Sequence, residues 1–376
     1  MKSIFDIPEL LISKGLPFVI YCLPESNTCK LIFQKEKNVD KIELVDIDSS
    51  SGFIIADFNS AQSGIASIIV PDFVLLENEN TERIINYLSV LPDIGDFCFS
   101  ENICISKDKY LDTAEYLISK LKDGELQKVV LSRVVKKDLE KEIDLSKLIQ
   151  LLKDEYKNAF VYLFHLPKVG TWCGASPETF FKTIDSSINI DALAATRLIT
   201  GEIPKGVYIT EQDISPKWTL KEKEEQYYVS LFIESLLSEL QISNYEQSDP
   251  RTMVAGKLAH IQTKFSIPLF AVGSKTGKLI AGLHPTPAVC GLPKAEAFFL
   301  IQKAEQHKRR YYTGFLGPWK MKNETQLFVN LRCAELDANR LSIYVGGGLT
   351  ASSSPEAEYQ ETVHKSKTLL SIVENL

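Results

Sequence analysis

The sequence predicts a single large α/β fold of the α+β type, with antiparallel β-sheets at its core and helices packed outside. Three observations lead there. The β-rich segments mostly follow one another without an intervening helical pattern, which favours antiparallel pairing over a doubly wound parallel sheet. No G-x-G-x-x-G or G-x-x-x-x-G-K-[ST] loop is present, so nucleotide-binding parallel folds have no support. Across the 376 residues there is no low-complexity linker, and no repeat of roughly 20 to 50 residues that would divide the chain.

In the first hundred residues, LPFVIYCLP, KLIFQK, SGFIIADFN and ASIIVPDFVLLE read as strands, being rich in Val, Ile and Phe and bounded by Pro, Gly, Asn or Ser. Residues 112–121 carry Ala114, Leu117, Ile118 and Leu121 at helical spacing, with Gly124 as a stop. A strand follows at 128–135, alternating Lys128, Val130, Ser132 and Val134 with Val129, Leu131, Arg133 and Val135. Further strands are expected at AFVYLFHL, TFFKTI, INIDALAA, LFVNLRCAEL and LSIYVGGG, and helices at 221–240, 295–307 and 356–370.

Composition narrows the function classes. Hydrophobic residues at 44% and charged ones at 24% suit a globular protein with a sizeable core, and no apolar run of about 18 residues could span a bilayer. Forty-two basic against 49 acidic residues leave a net charge of −7, which argues against nucleic acid as a partner. The N-terminal residues resemble neither a signal nor a transit peptide, so a cytoplasmic location without membrane association is expected. Seven cysteines with no C-x-x-C pair are expected to be reduced thiols filling the core. Five histidines without H-E-x-x-H disfavour a transition-metal centre and leave oxygen as the expected donor for any metal.

Two helices carry such oxygens. Glu222 and Glu225 sit three apart at the start of 221–240, ahead of the stripe Val229, Phe232, Ile233, Leu236, Leu237 and Leu240. Glu358 and Glu361 repeat the spacing in the C-terminal helix, with Lys365 four residues further on. Together the pairs could hold one hard divalent cation such as magnesium. Taken alone, each also suits a solvated face or an early helical turn favoured by the dipole. His284 between Gly282 and Pro285, Ser176-Pro177-Glu178, and Gly346-Gly347-Gly348 are by themselves compatible with ordinary loops and bends.

Their order along the chain is more informative. LQKVVLSR, WCGASPETFF, ALAATR, KEKEEQYYV, LHPTPAVCGLP, YYTGFLG, LFVNLRCAEL, YVGGGLT and AEYQETVHKSK follow the sequence and approximate spacing of one family. In these nine segments the chain resembles the chorismate-utilising enzymes, which include isochorismate, salicylate, anthranilate and aminodeoxychorismate synthases. The resemblance covers roughly 106–376, a chorismate-binding core, and leaves 1–105 as a divergent N-terminal part of the same fold.

The resemblance implies Mg²⁺ as cofactor and chorismate, a small dianion, as substrate. By position, Glu225 and Glu361 match direct metal ligands, with Glu222 and Glu358 acting through water. Tyr312, Arg332, and the amides of Gly346 and Gly348 match groups that hold substrate carboxylates, for which an Arg fork and exposed backbone N–H groups are apt. Lys365 matches a lysine near metal and carboxylates, Thr196 a residue near the substrate ring, and His284 opens a substrate-side motif. Lys128 matches the general base that activates water for attack at C2, and Glu178 the general acid that protonates the departing C4 hydroxyl. Such a base must lose its proton and such an acid must have a raised pKa.

Lys128 therefore favours water over ammonia as nucleophile, and Ala194 cannot be the lysine nucleophile of one aminodeoxychorismate synthase type. The HPTPAVCG stretch resembles isochorismate synthases more than salicylate synthases, which share the first step and then eliminate pyruvate. Ala195 and Gln226 depart from the Gly and His usual at their positions. The expected protein is a monomeric isochorismate synthase, an isomerase feeding menaquinone or, as the second expectation, a catechol siderophore.

Overall fold

The computed structural model describes residues 3–94, 103–198, 218–255, 258–322 and 324–376. Two antiparallel sheets form its centre. One runs, in order, through Gly291–Leu292, Lys128–Asp138, Arg340–Leu349, Cys333–Asp337, Gly170–Ser176, Phe160–Leu166, Phe18–Cys22, Lys30–Phe33 and Phe73–Leu76. The other runs through Glu246–Gln247, Leu258–Pro268, Ser187–Leu198, Thr179–Ile184, Gln326–Val329, Phe315–Trp319, Gly52–Ala56, Ile65–Ile69 and Asp40–Glu43, with Arg251–Ala255 also paired to Leu258–Pro268. The predicted α+β architecture is observed.

Alternation along the strands gives each sheet two apolar faces, and each face has a cover. The inner faces meet in an aromatic layer in which Phe160 stacks on Phe328 at 4.2 Å and Tyr21 leans on Phe53 at 5.2 Å. Outside the first sheet, the helices Leu145–Glu155 and Pro355–Val373 bury Leu148, Ile149, Leu369 and Ile372. Outside the second, Leu220–Glu239 and Thr276–Leu283 bury Ile233, Leu237, Leu279 and Ile280. Lys107–Lys122 and Lys294–Ala304 cover Val129, Leu131 and Leu349 at one end.

Local sequence accounts for the ends of the helices that matter. Ser106 caps Lys107–Lys122 through the Lys109 amide. Thr219 and Glu222 form a reciprocal capping box on Leu220–Glu239.

Two expectations need correction here. LFVNLRCAEL is not one strand: Gln326–Val329 lies in the second sheet and Cys333–Asp337 in the first, with Arg332 at φ +47° where the chain crosses over. Nor are all the cysteines reduced, because Cys22 and Cys29 are disulfide-bonded across the turn of the hairpin in which Tyr21 pairs with Lys30. Of the others described, Cys173, Cys290 and Cys333 are buried free thiols and Cys104 is an exposed one, while Cys98 lies outside the described residues.

Candidate active site

A second crossing runs beside the one at Arg332. The chain leaves the first sheet at Ser176 and enters the second at Thr179, so Glu178 stands in the seam between the sheets. The neighbouring strands tie the crossings together. The Val329 amide donates to the Glu178 carbonyl at 3.0 Å, the Ala175 amide donates to the Arg332 carbonyl at 3.2 Å, and Ser176 Oγ donates to the Val329 carbonyl.

Glu178 lines a narrow cleft together with Phe180, Asp191, Leu193, Phe232 and Ala288. Burial pushes its pKa up to about 7, with the Asp191 charge adding to the rise and the Lys128 and Lys365 ammonium charges opposing it. A half-protonated carboxyl near neutral pH is what a general acid requires. Thr286, from the HPTPAVCG stretch but not singled out there, lines the same cleft, and its buried hydroxyl has no hydrogen-bond partner among the described residues.

Lys128 opens the strand Lys128–Asp138 and is only 8% exposed. Its Nζ lies 2.6 Å from Glu225 Oε1 on the helix Leu220–Glu239. The neighbouring strand leaves room for the lysine only because Gly348 has no side chain: a Cβ there would come 2.9 Å from Lys128 Cε. At the preceding position, a Cβ on Gly347 would meet Glu358 Oε2 at 3.1 Å and Glu361 Oε1 at 3.8 Å. One before that, a Cβ on Gly346 would lie 2.8 Å from Tyr312 Oη. Three bare glycines thus let an ammonium, two carboxylates and a phenol crowd onto one short stretch of backbone.

Lys365 joins them, donating to the Gly346 carbonyl at 2.9 Å and pairing with Glu361 at 2.6 Å. Glu358 accepts from Ser353 Oγ at 2.7 Å. The oxygen chemistry of Glu225, Glu358 and Glu361 fits a hard cation such as Mg²⁺. Among the described residues, however, no three of these carboxylates already converge as a metal shell.

Glu222 is engaged elsewhere. It accepts from Arg197 Nε at 2.5 Å and from Arg197 Nη2, and it caps the Thr219 amide at 2.7 Å. Burial raises its pKa, but the Arg197 and Thr219 hydrogen bonds outweigh that and hold it below the usual carboxylate range. The expected water-mediated ligand instead fastens the helix start to the strand Ser187–Leu198.

That strand is bulged. Ala194 pairs with Ile261 and Thr196 with His260, leaving Ala195 unpaired at φ +58°. The Thr196 backbone pairs with His260, while its side chain lies outside the described residues. His260 Nδ1 meets the Ala195 carbonyl at 3.1 Å. Burial lowers the His260 pKa, the Ala195 carbonyl opposes this, and the Arg332 and Lys365 charges lower it further, so a neutral imidazole stands near both cations. Sequence reading passed over this histidine because it interrupts an ordinary strand with no motif around it. Gln226, where the resemblance leads to an expected His, donates to Thr263 Oγ1 at 2.7 Å and ties the helix to the sheet.

Arg332 is half-buried, with Nη1 3.5 Å from Thr368 Oγ1, and desolvation lowers its pKa. His284 does not reach the site. It is 1% exposed, its Nε2 meets the Asp57 carbonyl at 3.0 Å, and it lies edge-on to Phe315 and Phe180. Burial lowers its pKa to about 3, so it is a neutral core histidine.

Comparison with known proteins identifies the family. Residues 74–374 match the sequence profile of the chorismate binding enzymes. The vibriobactin-specific isochorismate synthase of Vibrio cholerae is 27% identical over 265 residues, a stretch covering 70% of this chain and 66% of that protein, slightly under two thirds of its length. Among solved structures, DhbC from Bacillus anthracis superposes with a TM-score of 0.75 at 23% identity, covering 97% of this chain and 99% of that one. MenF, the menaquinone-specific isochorismate synthase from Escherichia coli, gives 0.73 at 18% identity, covering 96% and 90%. Those two likenesses concern the fold.

Proposed function

This chain belongs to the chorismate binding enzymes, and from that premise we propose that it is a magnesium-dependent isochorismate synthase. The observation that carries the reading is that Glu178, a carboxyl whose pKa burial raises to about 7, lies within electrostatic reach of the Lys128 amine. Its similarity to the Vibrio cholerae synthase supports the same reaction.

In this reading the deprotonated Lys128 amine takes a proton from water as the oxygen bonds to C2 of the ring. The two ring double bonds each shift by one position, the C4–O bond breaks, and Glu178 delivers a proton so that the hydroxyl departs as water. One water enters and one leaves, so the reaction is an isomerisation without oxidation or reduction. Arg332, Tyr312 and the amides of Gly346 and Gly348 orient the carboxylates of the dianion, and Lys365 adds a positive charge beside Gly346. Glu225 and Glu361, with Glu358 through water, would hold Mg²⁺, which when bound supplies positive charge against the ring carboxylate. Glu222 serves by anchoring Arg197 and the helix start.

The test is to incubate the purified protein with chorismate and Mg²⁺ and to follow isochorismate and pyruvate together. Isochorismate without pyruvate is expected. Stoichiometric pyruvate would make the protein a salicylate synthase, and product that appears only with ammonia would move it to the aminating branch.

A further inference from the structure

The carboxylates assigned to the metal already carry cations of the protein's own. Lys128 Nζ lies 2.6 Å from Glu225 Oε1, and Lys365 Nζ lies 2.6 Å from Glu361 Oε1. The first pair is enclosed, its side chains 10% and 28% exposed, whereas the second is open at 42% and 50%. A divalent ion and an ammonium compete for the negative charge of one carboxylate, and each repels the other across it. The strand Arg340–Leu349 makes room for each on its own face, with Lys128 Cε against Gly348 and Glu358 and Glu361 against Gly347.

We propose that Lys128 and Lys365 are resident counter-cations of the metal carboxylates, so that entry of the divalent ion is an exchange that releases both ammonium groups. Lys128, once freed from Glu225, stays over Gly348 and is left facing the substrate cleft. Lys365 keeps its bond to the Gly346 carbonyl and is free to meet a substrate carboxylate. The base and the metal site are thus two states of one cluster, with Glu225 alternating between partners. The inference rests on the metal assignment of the proposed function.

The experiment titrates Mn²⁺, a paramagnetic probe of a magnesium site, into the metal-free full-length protein without chorismate, reading free Mn²⁺ by electron paramagnetic resonance. Lys128→Met is expected to tighten Mn²⁺ by about ten-fold, the equivalent of ~1.4 kcal/mol. Lys365→Met should tighten it by roughly two-fold, because an exposed pair is weaker. Lys264→Met removes a charge from the Asp191 side of the cleft and should change affinity by less than about two-fold, which separates exchange from general repulsion. Circular dichroism confirms that each variant is folded, and Lys365→Met, altering an exposed helical residue, stands in if Lys128→Met does not fold. Tightening confined to the two site lysines supports the exchange. Variants that bind no more tightly than Lys264→Met overturn it. Glu225→Gln and Glu361→Gln test the metal assignment separately: if neither weakens Mn²⁺, that assignment fails and the exchange falls with it, whereas weakening there without tightening in the lysine variants overturns the exchange alone.

Discussion

Lys128 and Gly348 face each other so closely that a single methyl on the glycine would stand 2.9 Å from the lysine Cε. Gly348→Ala should therefore push the amine aside while the flexible side chain absorbs the clash. We expect kcat to fall by about ten-fold, or ~1.4 kcal/mol of barrier. The unfolding free energy should stay within about 1 kcal/mol of wild type. Steady-state kinetics beside urea denaturation checks both, and an unchanged kcat would show that the lysine position is not critical.

Replacing Lys128 with Ala removes the proposed base outright. Turnover should fall by at least about 10²-fold, the usual contribution of such a group. Calorimetric chorismate binding in the presence of Mg²⁺ should remain measurable. Wild-type turnover in this variant would reject Lys128 as base.

Glu178 gives a pH signature. With its pKa raised from 4.5 to about 7 by burial, the carboxyl is protonated in the folded protein where it is ionised in the unfolded chain. The native state then binds more protons between about 4.5 and 7, so stability falls as pH rises through that window. Glu178→Gln should remove this slope, matching wild type in the acid and melting higher above pH 7, while abolishing turnover. The wild-type kcat should decline above about pH 7. Parallel melting curves across pH for the two proteins would contradict the assignment.

Glu222 and Glu225 should behave differently despite their identical spacing logic. Glu225→Gln is expected to raise the Mg²⁺ concentration needed for half-maximal rate by about ten-fold or more. Glu222→Ala should leave that dependence nearly unchanged and instead cost about 1 kcal/mol or more of stability, through loss of the cap and of the Arg197 pair. Denaturation and Mg²⁺ titration of both variants separate the roles.

Ala195 occupies a left-handed conformation at φ +58°, which favours glycine. Ala195→Gly should stabilise the protein by roughly 0.5 to 1 kcal/mol in urea denaturation, with activity retained. Ala195→Val should destabilise it by more than that, since a β-branched side chain tolerates the bulge poorly.

Sequence patterns disclosed the parts of this molecule set by local chemistry. The Glu-bearing helix was legible because Val229 to Leu240 place apolar residues at helical spacing, a stripe that the fold buries. The lysine strand was legible through its β-branched run. What escaped depends on distant partners. Helical spacing does not distinguish Glu222 from Glu225, and the resemblance gives both to the metal; only the fold brings Arg197 to one and Lys128 to the other. The split at Arg332 was hidden by unbroken strand-forming residues on both sides. The Cys22–Cys29 bond depends on hairpin register, and His284 looked available because a Gly and Pro neighbourhood conceals how deeply a loop is buried.

The paired crossings between the sheets bear on how this fold tolerates change. Glu178 and Arg332 hang on adjacent connectors that are hydrogen-bonded to each other, whereas Lys128 belongs to a regular strand of the first sheet, beside the two-residue edge strand Gly291–Leu292. The aromatic layer, with Phe328 against Phe160, acts as a shim beneath the two connectors. Swapping one ring for another of different thickness would carry Glu178 and Arg332 together, like a jaw set against an anvil. The distance between Lys128 and Glu178 can thus be retuned from the interior of the sandwich, without altering either residue.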